Sequence, residues 1–114
     1  MKTLLLLSLI AFLSFGCNPN NPTTHTVRYE TTGTLPYDIL YVNETGSYNT
    51  LSQQTAPWSV EFERVLEVNK SILQLQAESS DGSLTGWFTV KIYVDGSLWK
   101  NAEGDVAAAA SGTY

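Results

Sequence analysis

Hydrophobic and polar residues alternate with a period of two along most of the chain after residue 25. The alternation is clearest in four segments, which are residues 27–31, 60–63, 73–78 and 87–95. Successive side chains of a β-strand point to opposite faces, so the pattern predicts half-buried strands in antiparallel sheets with one wet face. Residues 36–42 differ because four apolar residues follow one another there, which predicts a central strand covered on both faces.

Turn-forming residues separate these segments, and Asp95-Gly96 is the strongest hairpin signal. A two-residue loop there would place Lys91 opposite Lys100, which is unfavourable for two like charges. Either a bulge therefore shifts the register, or the hairpin lies at a solvent-exposed edge. Residues 107–110 are four alanines, a run too short to stand alone as a helix. As a last strand, they would let a neighbouring sheet approach closely.

The turn signals divide residues 26–114 into seven or eight short segments of strand character. No segment offers a helical period over ten residues, and the length of 114 residues suits a single folded domain. The sequence therefore predicts an all-β domain, a small antiparallel β-sandwich that is Ig-like in size. A small β-barrel is the alternative architecture.

The first residues of the chain have the features of an export signal. Lys2 precedes an apolar run at residues 4–13, which is too short to span ~30 Å of hydrocarbon comfortably. We interpret residues 1–16 as a signal peptide. The alternatives are an ordinary secretory signal followed by a stray cysteine, and a retained transmembrane helix.

The Gly16-Cys17 step that follows resembles the lipobox of bacterial lipoproteins. This resemblance implies cleavage between Gly16 and Cys17 and acylation of Cys17, and two or three acyl chains anchor a protein stably in a membrane. Residues 17–25 then form a flexible tether without acidic or basic side chains other than one histidine. Asn18 rather than aspartate follows the cysteine, which in that family implies the bacterial outer membrane rather than the inner one.

Composition restricts the chemistry of the folded domain. The net charge of −5 disfavours nucleic acid as a partner. A single cysteine excludes an internal disulfide and a multi-cysteine metal site. A single histidine excludes a His-pair metal site and disfavours a Ser-His-Asp triad. Glu61 and Glu63 are predicted to lie on a solvated strand face, and His25 is predicted to be an exposed polar residue. We therefore predict a non-enzymatic protein with no catalytic residue, metal or cofactor.

Three aromatic residues are the candidate contact sites for a partner or ligand. Trp87 and Tyr93 have the parity opposite to Phe88 and its apolar neighbours, so both are predicted on the outer face of the sheet. The alternative is packing across strands, for instance of Leu98 beside Tyr93. Trp58 follows a proline and is predicted to lie over the mouth of the sandwich, in core packing or in contact with a ligand.

Four segments together resemble, in matching order, the MmpS-type transport accessory proteins. They are residues 27–33, 37–41, 56–59 and 91–96. The resemblance implies an extracytoplasmic β-sandwich that acts as a non-catalytic accessory or interaction domain, with an RND-type exporter or another envelope protein as partner. Cys17 stands where that family has a transmembrane anchor, and the cysteine pair of many members is missing. A ligand- or glycan-binding module that uses the aromatic face is the alternative function.

Overall fold

The computed structural model describes residues 23–34, 36–55, 57–82 and 86–114, and within these ranges the chain forms eight strands. They are β1 (Thr23–Gly33), β2 (Tyr37–Val42), β3 (Tyr48–Gln54), β4 (Trp58–Leu66), β5 (Ile72–Ser79), β6 (Phe88–Val94), β7 (Ser97–Gly104) and β8 (Ala107–Thr113). The predicted signal peptide, Gly16, Cys17 and most of the predicted tether lie outside the described residues. Among the described residues, no helix is long and apolar enough to cross a membrane.

The eight strands form two four-stranded antiparallel sheets. Sheet A has the order β4-β1-β6-β7 and sheet B the order β3-β2-β5-β8. The β2–β3 and β6–β7 connections are hairpins within one sheet, and the other five connections cross from one sheet to the other. The predicted small antiparallel β-sandwich is thus confirmed, and the two separate sheets are not a closed barrel.

The core lies between the two sheets and is built from the alternating apolar positions. Phe88, Val90 and Ile92 of β6 are fully buried, as the alternation predicted. Tyr29 at the centre of β1 is also buried, and its hydroxyl donates a 2.7 Å hydrogen bond to the carbonyl of Val42. Burial raises the pKa of Tyr29. Other fully buried side chains are those of Val27, Thr31, Tyr37, Ile39, Leu66, Leu73 and Leu75.

Strand β2 is an interior strand, but the prediction that it is covered on both faces is wrong. Tyr37, Ile39 and Tyr41 point into the core and are buried, whereas Asp38 and Leu40 on the other face are partly exposed. The sandwich has two layers, so nothing in the described chain covers the outer face of sheet B. The run of apolar residues reflects one buried face together with two residues of the opposite parity, of which Leu40 is partly exposed and Val42, at the end of the strand, is buried.

The β6–β7 hairpin shows both of the features that the sequence offered as alternatives, since β7 is an edge strand of sheet A and its register with β6 is shifted. Asp95 and Gly96 have φ values of 51° and 82°, the left-handed conformation that a type I′ turn requires at both central residues. The register then shifts between Ile92 and Tyr93, so a bulge moves Lys100 opposite Ile92. Lys91 consequently faces an asparagine, and the like charges are kept apart.

One long side of the sandwich is closed by β7 and β8. Strands β7 and β8 approach each other closely, and Ala108 and Ala110 of β8 are buried there. The small side chains allow this close approach, as predicted for a last strand. Trp99, the bulged residue of β7, lies over Gly112 of β8 and caps this side.

Candidate functional site

The two ends of the sandwich are distinct surfaces because the strands run between them. Thr23 begins β1 at one end, where the Asp95-Gly96 turn and Tyr114 also lie. We call this the tether end, since residues 17–22 precede β1 in the sequence. The opposite, far end contains Gly33 and Trp87, about 35 Å away for an 11-residue strand at ~3.3 Å per residue.

Trp87 is an exposed aromatic residue at the far end. Its side chain keeps 47% of its surface accessible. Two hydrogen bonds fix its backbone: its N–H donates to Oγ1 of Thr34 at 2.8 Å, and its carbonyl accepts from the Thr34 N–H at 3.1 Å. The indole is therefore held on a fixed backbone and faces solvent, as the sequence predicted.

Tyr93 is partly buried and packs against its cross-strand neighbours. The guanidinium carbon of Arg28 lies 4.2 Å from the centre of the Tyr93 ring, which is cation–π geometry. Leu98 pairs with Tyr93 on the other side, as the packing alternative proposed. Six residues along β6, at ~3.3 Å each, separate Tyr93 from Trp87 by about 20 Å. The two aromatic side chains do not form one patch.

Trp58 belongs to the side of the core rather than to an open mouth. It pairs with Thr31 of β1, and its ring centre lies 5.3 Å from that of Tyr41 in the opposite sheet. The indole is half-buried and packs against the core cluster. Of the two interpretations of Trp58, this contact favours core packing.

A polar cluster at the tether end was missed by the sequence analysis. His25 is not an exposed residue, since only 16% of its side chain is accessible. Its Nδ1 lies 2.6 Å from Oδ2 of Asp95, and its Nε2 lies 2.6 Å from Oγ1 of Thr23. The Tyr114 ring packs on the imidazole at 5.0 Å between centroids. We call these four residues the His25 cluster.

The hydrogen bonds of the His25 cluster connect three separate parts of the chain. Asp95 also accepts the Thr26 N–H at 3.0 Å, so one carboxylate joins the start of β1 to the β6–β7 turn. The hydrogen bond with His25 and that with Thr26 hold the pKa of Asp95 below its ordinary value. Hydroxyl, imidazole and carboxylate follow the order found in acyl-transfer triads. Here their hydrogen bonds join β1, the β6–β7 turn and Tyr114.

The outer face of sheet A carries charges of both signs in neighbouring strands. Glu61 faces Arg28 across β4 and β1, and Glu30 faces Lys91 across β1 and β6. Arg28 also forms an ion pair with Glu30, with 3.1 Å between Nε and Oε1. Glu61 and Glu63 are exposed, as predicted for a solvated face. No group of three or more His, Cys, Asp or Glu side chains in the described ranges is arranged to hold a metal ion.

Four exposed apolar side chains lie near the tether end, on both faces of the sandwich. They belong to Tyr48, Val65, Val68 and Ile72, which keep 58%, 56%, 45% and 50% of their surfaces accessible. Tyr48 and Ile72 line one surface depression, together with Arg64 and Lys70. Val65 lies on the outer face of sheet A, whereas Tyr48 and Ile72 lie on the outer face of sheet B, so the four residues do not form one surface. Only seven large hydrophobic residues in the described chain are exposed, so more than half of them are here.

No protein-family model matches the chain, and no curated protein matches it significantly.

Proposed function

We propose that the protein is a lipid-anchored, non-catalytic protein of the bacterial cell envelope. In this proposal Cys17 carries the acyl chains, and the sandwich acts as an accessory or interaction domain related to the MmpS-type transport accessory proteins. Of the four segments that carry this resemblance, residues 27–33 lie in β1, 37–41 in β2, 58–59 at the start of β4 and 91–94 at the end of β6. The partner is a membrane transporter or another envelope protein.

The observation that carries the proposal is the opposite character of the two ends. The tether end lies six residues from Cys17, a chain length that reaches at most about 20 Å. The far end presents Trp87 on a fixed backbone. An anchored domain of this shape would offer Trp87 to a partner well above the membrane surface. Large aromatic residues contribute most at protein interfaces when a partner buries them.

Acyl labelling of the full-length chain tests the anchor. Cys17→Ser removes the only cysteine, so it should abolish incorporation of a labelled fatty acid and release the protein from the membrane fraction. The unchanged chain, expressed in parallel, is the control. A Cys17→Ser protein that is still processed and still membrane-bound would disprove the anchor.

Co-purification from detergent-solubilised membranes tests the far end. Trp87→Ala should lose the envelope partner while the domain stays folded. Leu98→Ala is the matched control, because Leu98 is similarly exposed, at 51%, but lies near the tether end. If the Trp87→Ala protein still co-purifies with the partner, Trp87 is not part of the interface.

A ligand- or glycan-binding module is the second candidate. The observation that favours it is a shallow depression on the outer face of sheet B, lined by hydroxyl, amide and carboxylate groups around Leu40. Its polar side chains are those of Asp38, Thr50, Ser52, Gln76 and Glu78. Such groups bind sugar hydroxyls by hydrogen bonds. The domain should then bind glycans on an array, and Gln76→Ala should abolish this binding. In this case no protein partner should co-purify from membranes.

A further inference from the structure

In the described part of the chain, the long side of the sandwich between β3 and β4 is open. On the opposite side β7 and β8 lie against each other, whereas β3 and β4 are not in comparable contact. Arg64 joins the two sheets only at the tether end, through a 2.8 Å hydrogen bond to the carbonyl of Ile72. The core-facing apolar residues along this side are partly buried, whereas those of the interior strands are buried. They are Leu51 of β3 and Trp58, Val60 and Phe62 of β4.

Strand β4 is the longest of the four edge strands and is regular throughout. It pairs with β1 over nine residues without a register shift, and none of its residues has a positive φ. By contrast, Gln53 of β3 has a φ of 56°, and the β2–β3 register shifts there. Every second residue of an antiparallel edge strand directs its N–H and C=O away from the neighbouring strand. Among the described strands only β1 pairs with β4, so this row of backbone groups is available to another strand.

The outer face of β4 restricts which strand can pair with it. Glu61 and Glu63 are exposed there, and neither forms an ion pair within the described residues. Arg28, which faces Glu61 from β1, is ion-paired with Glu30 instead. Across adjacent strands, opposite charges are favourable and like charges are unfavourable. The fullest antiparallel pairing of two β4 strands, centred on Phe62, would set Glu61 of each copy opposite Glu63 of the other. Charge therefore disfavours a second copy and favours a basic strand.

We propose that β4 is a docking edge at which an extended segment of another protein adds as a fifth strand of sheet A. The segment alternates apolar with basic residues. Its apolar side chains cover Val60 and Phe62, and its basic side chains face Glu61 and Glu63. In such strand addition the main-chain hydrogen bonds supply affinity, and the alternate side chains supply specificity. This inference goes beyond the proposed function, because it depends neither on the anchor nor on the contact at Trp87.

Hydrogen–deuterium exchange with a synthetic peptide tests the docking edge. The probe alternates lysine with valine over nine residues, the length of β4, and is added to the full-length protein in detergent. Amides of β4 should exchange more slowly in its presence, while those of β3 and β7 should be unchanged. Two control peptides should protect none of these strands. One has glutamate in place of lysine, and the other has the same composition with all lysines in one block.

Charge reversal on β4 tests the choice of partner. Glu61→Lys with Glu63→Lys should weaken binding of the lysine peptide by about tenfold, because two cross-strand charge pairs change sign. The same variant should bind the glutamate peptide, which also shows that it is folded. Glu61→Gln with Glu63→Gln should show a smaller loss of lysine-peptide binding. Glu44→Lys with Glu103→Lys is the matched control, since it changes the net charge equally at exposed positions outside β4.

The outcomes separate this inference from the proposed function. Absence of protection in β4, protection of β3 or β7 instead, or equal binding of the block peptide would overturn the docking edge. An equal loss of binding in the Glu44→Lys, Glu103→Lys control would overturn it as well. A dimer of the parent chain with β4 protected in the absence of peptide would assign the edge to a second copy and contradict the proposal. Trp87→Ala should bind the lysine peptide as the parent does, so failure at β4 leaves the proposed far-end contact intact.

Discussion

At the tether end a polar cluster joins the strands, whereas at the far end close packing around two glycines accompanies the polar contacts of Asp38. The His25 cluster joins β1, the Asp95-Gly96 turn and Tyr114 through hydrogen bonds at the edge of solvent. At the far end the Phe88 ring lies against Gly33, and a Cβ on Gly104 would overlap the carbonyl oxygen of Ala107. The comparison teaches that close packing around Gly33 and Gly104 distinguishes the far end, whereas each end has a hydrogen-bonded carboxylate that acid should weaken.

The two ends are compared with the centre of the core, where truncating a side chain should lower the free energy of unfolding the most. Ile92 is fully buried in the middle of β6. Ile92→Ala should lower the free energy of unfolding by about 2–5 kcal/mol, because it removes buried methyl groups and leaves a cavity. Urea denaturation measures this loss. A change below ~1 kcal/mol would mean that this face of β6 does not form the core.

Overpacking the far end should have the next largest effect. Gly104→Ala puts a methyl group onto a backbone carbonyl that cannot rotate away, so the β7–β8 turn must shift. We expect the free energy of unfolding to fall by about 1–3 kcal/mol. Ser111→Ala, on the exposed face of β8, is the control and should change stability by less than ~0.5 kcal/mol. Equal stability of Gly104→Ala and the parent would show that the far end is loosely packed.

Acid should weaken the polar contacts of the tether end. The folded-state pKa of Asp95 lies below its ordinary value of 3.8, so its contribution to stability is present above that value. It is lost as pH falls through the folded-state pKa. Unfolding free energies measured from about pH 6 to about pH 3 should therefore decline less steeply in Asp95→Asn than in the parent.

The far end offers a matched test of the same kind. Asp38 there also has a lowered pKa, because the Ser80 hydroxyl and the Gln53 N–H donate hydrogen bonds to it. Asp38→Asn should flatten the acid decline as well. The two variants should combine additively, since the carboxylates lie at opposite ends and share no partner. A non-additive double variant would show that the ends are coupled.

The extent to which the sequence predicted this structure depends on how local each feature is. The alternation at Phe88, Val90 and Ile92 identified the core face, because strand geometry repeats every two residues. Asp95-Gly96 located a hairpin. Because a two-residue loop would place Lys91 opposite Lys100, the sequence predicted either a bulge in this hairpin or a position at a solvent-exposed edge. The bulge leaves Trp99 unpaired and places it over Gly112 of β8. Because this contact joins strands of different sheets, only the structure reveals it.

Features that depend on distant contacts were not predicted. His25 and Asp95 are 70 residues apart, and no local pattern indicates that a turn carboxylate meets the first strand. The outer face of β2 was predicted to be covered because Leu40 is apolar, yet burial on that face requires a third layer. The sequence alone therefore located the fold and the exposed Trp87, but not the surfaces of the tether end.

The smallest expected effect distinguishes Trp87, which directly precedes β6, from Tyr93 within that strand. Tyr93 packs between Arg28 and Leu98, so Tyr93→Ala should lower the melting temperature by several degrees, at ~4–8 °C per kcal/mol for a domain of this size. Trp87 makes its described hydrogen bonds through its backbone, which alanine retains. Trp87→Ala should therefore melt within about 2 °C of the parent. Calorimetry of the two single variants measures the difference. If Trp87→Ala melts at as low a temperature as Tyr93→Ala, the indole stabilises the far end of the sandwich, which argues against its serving only as a contact for a partner.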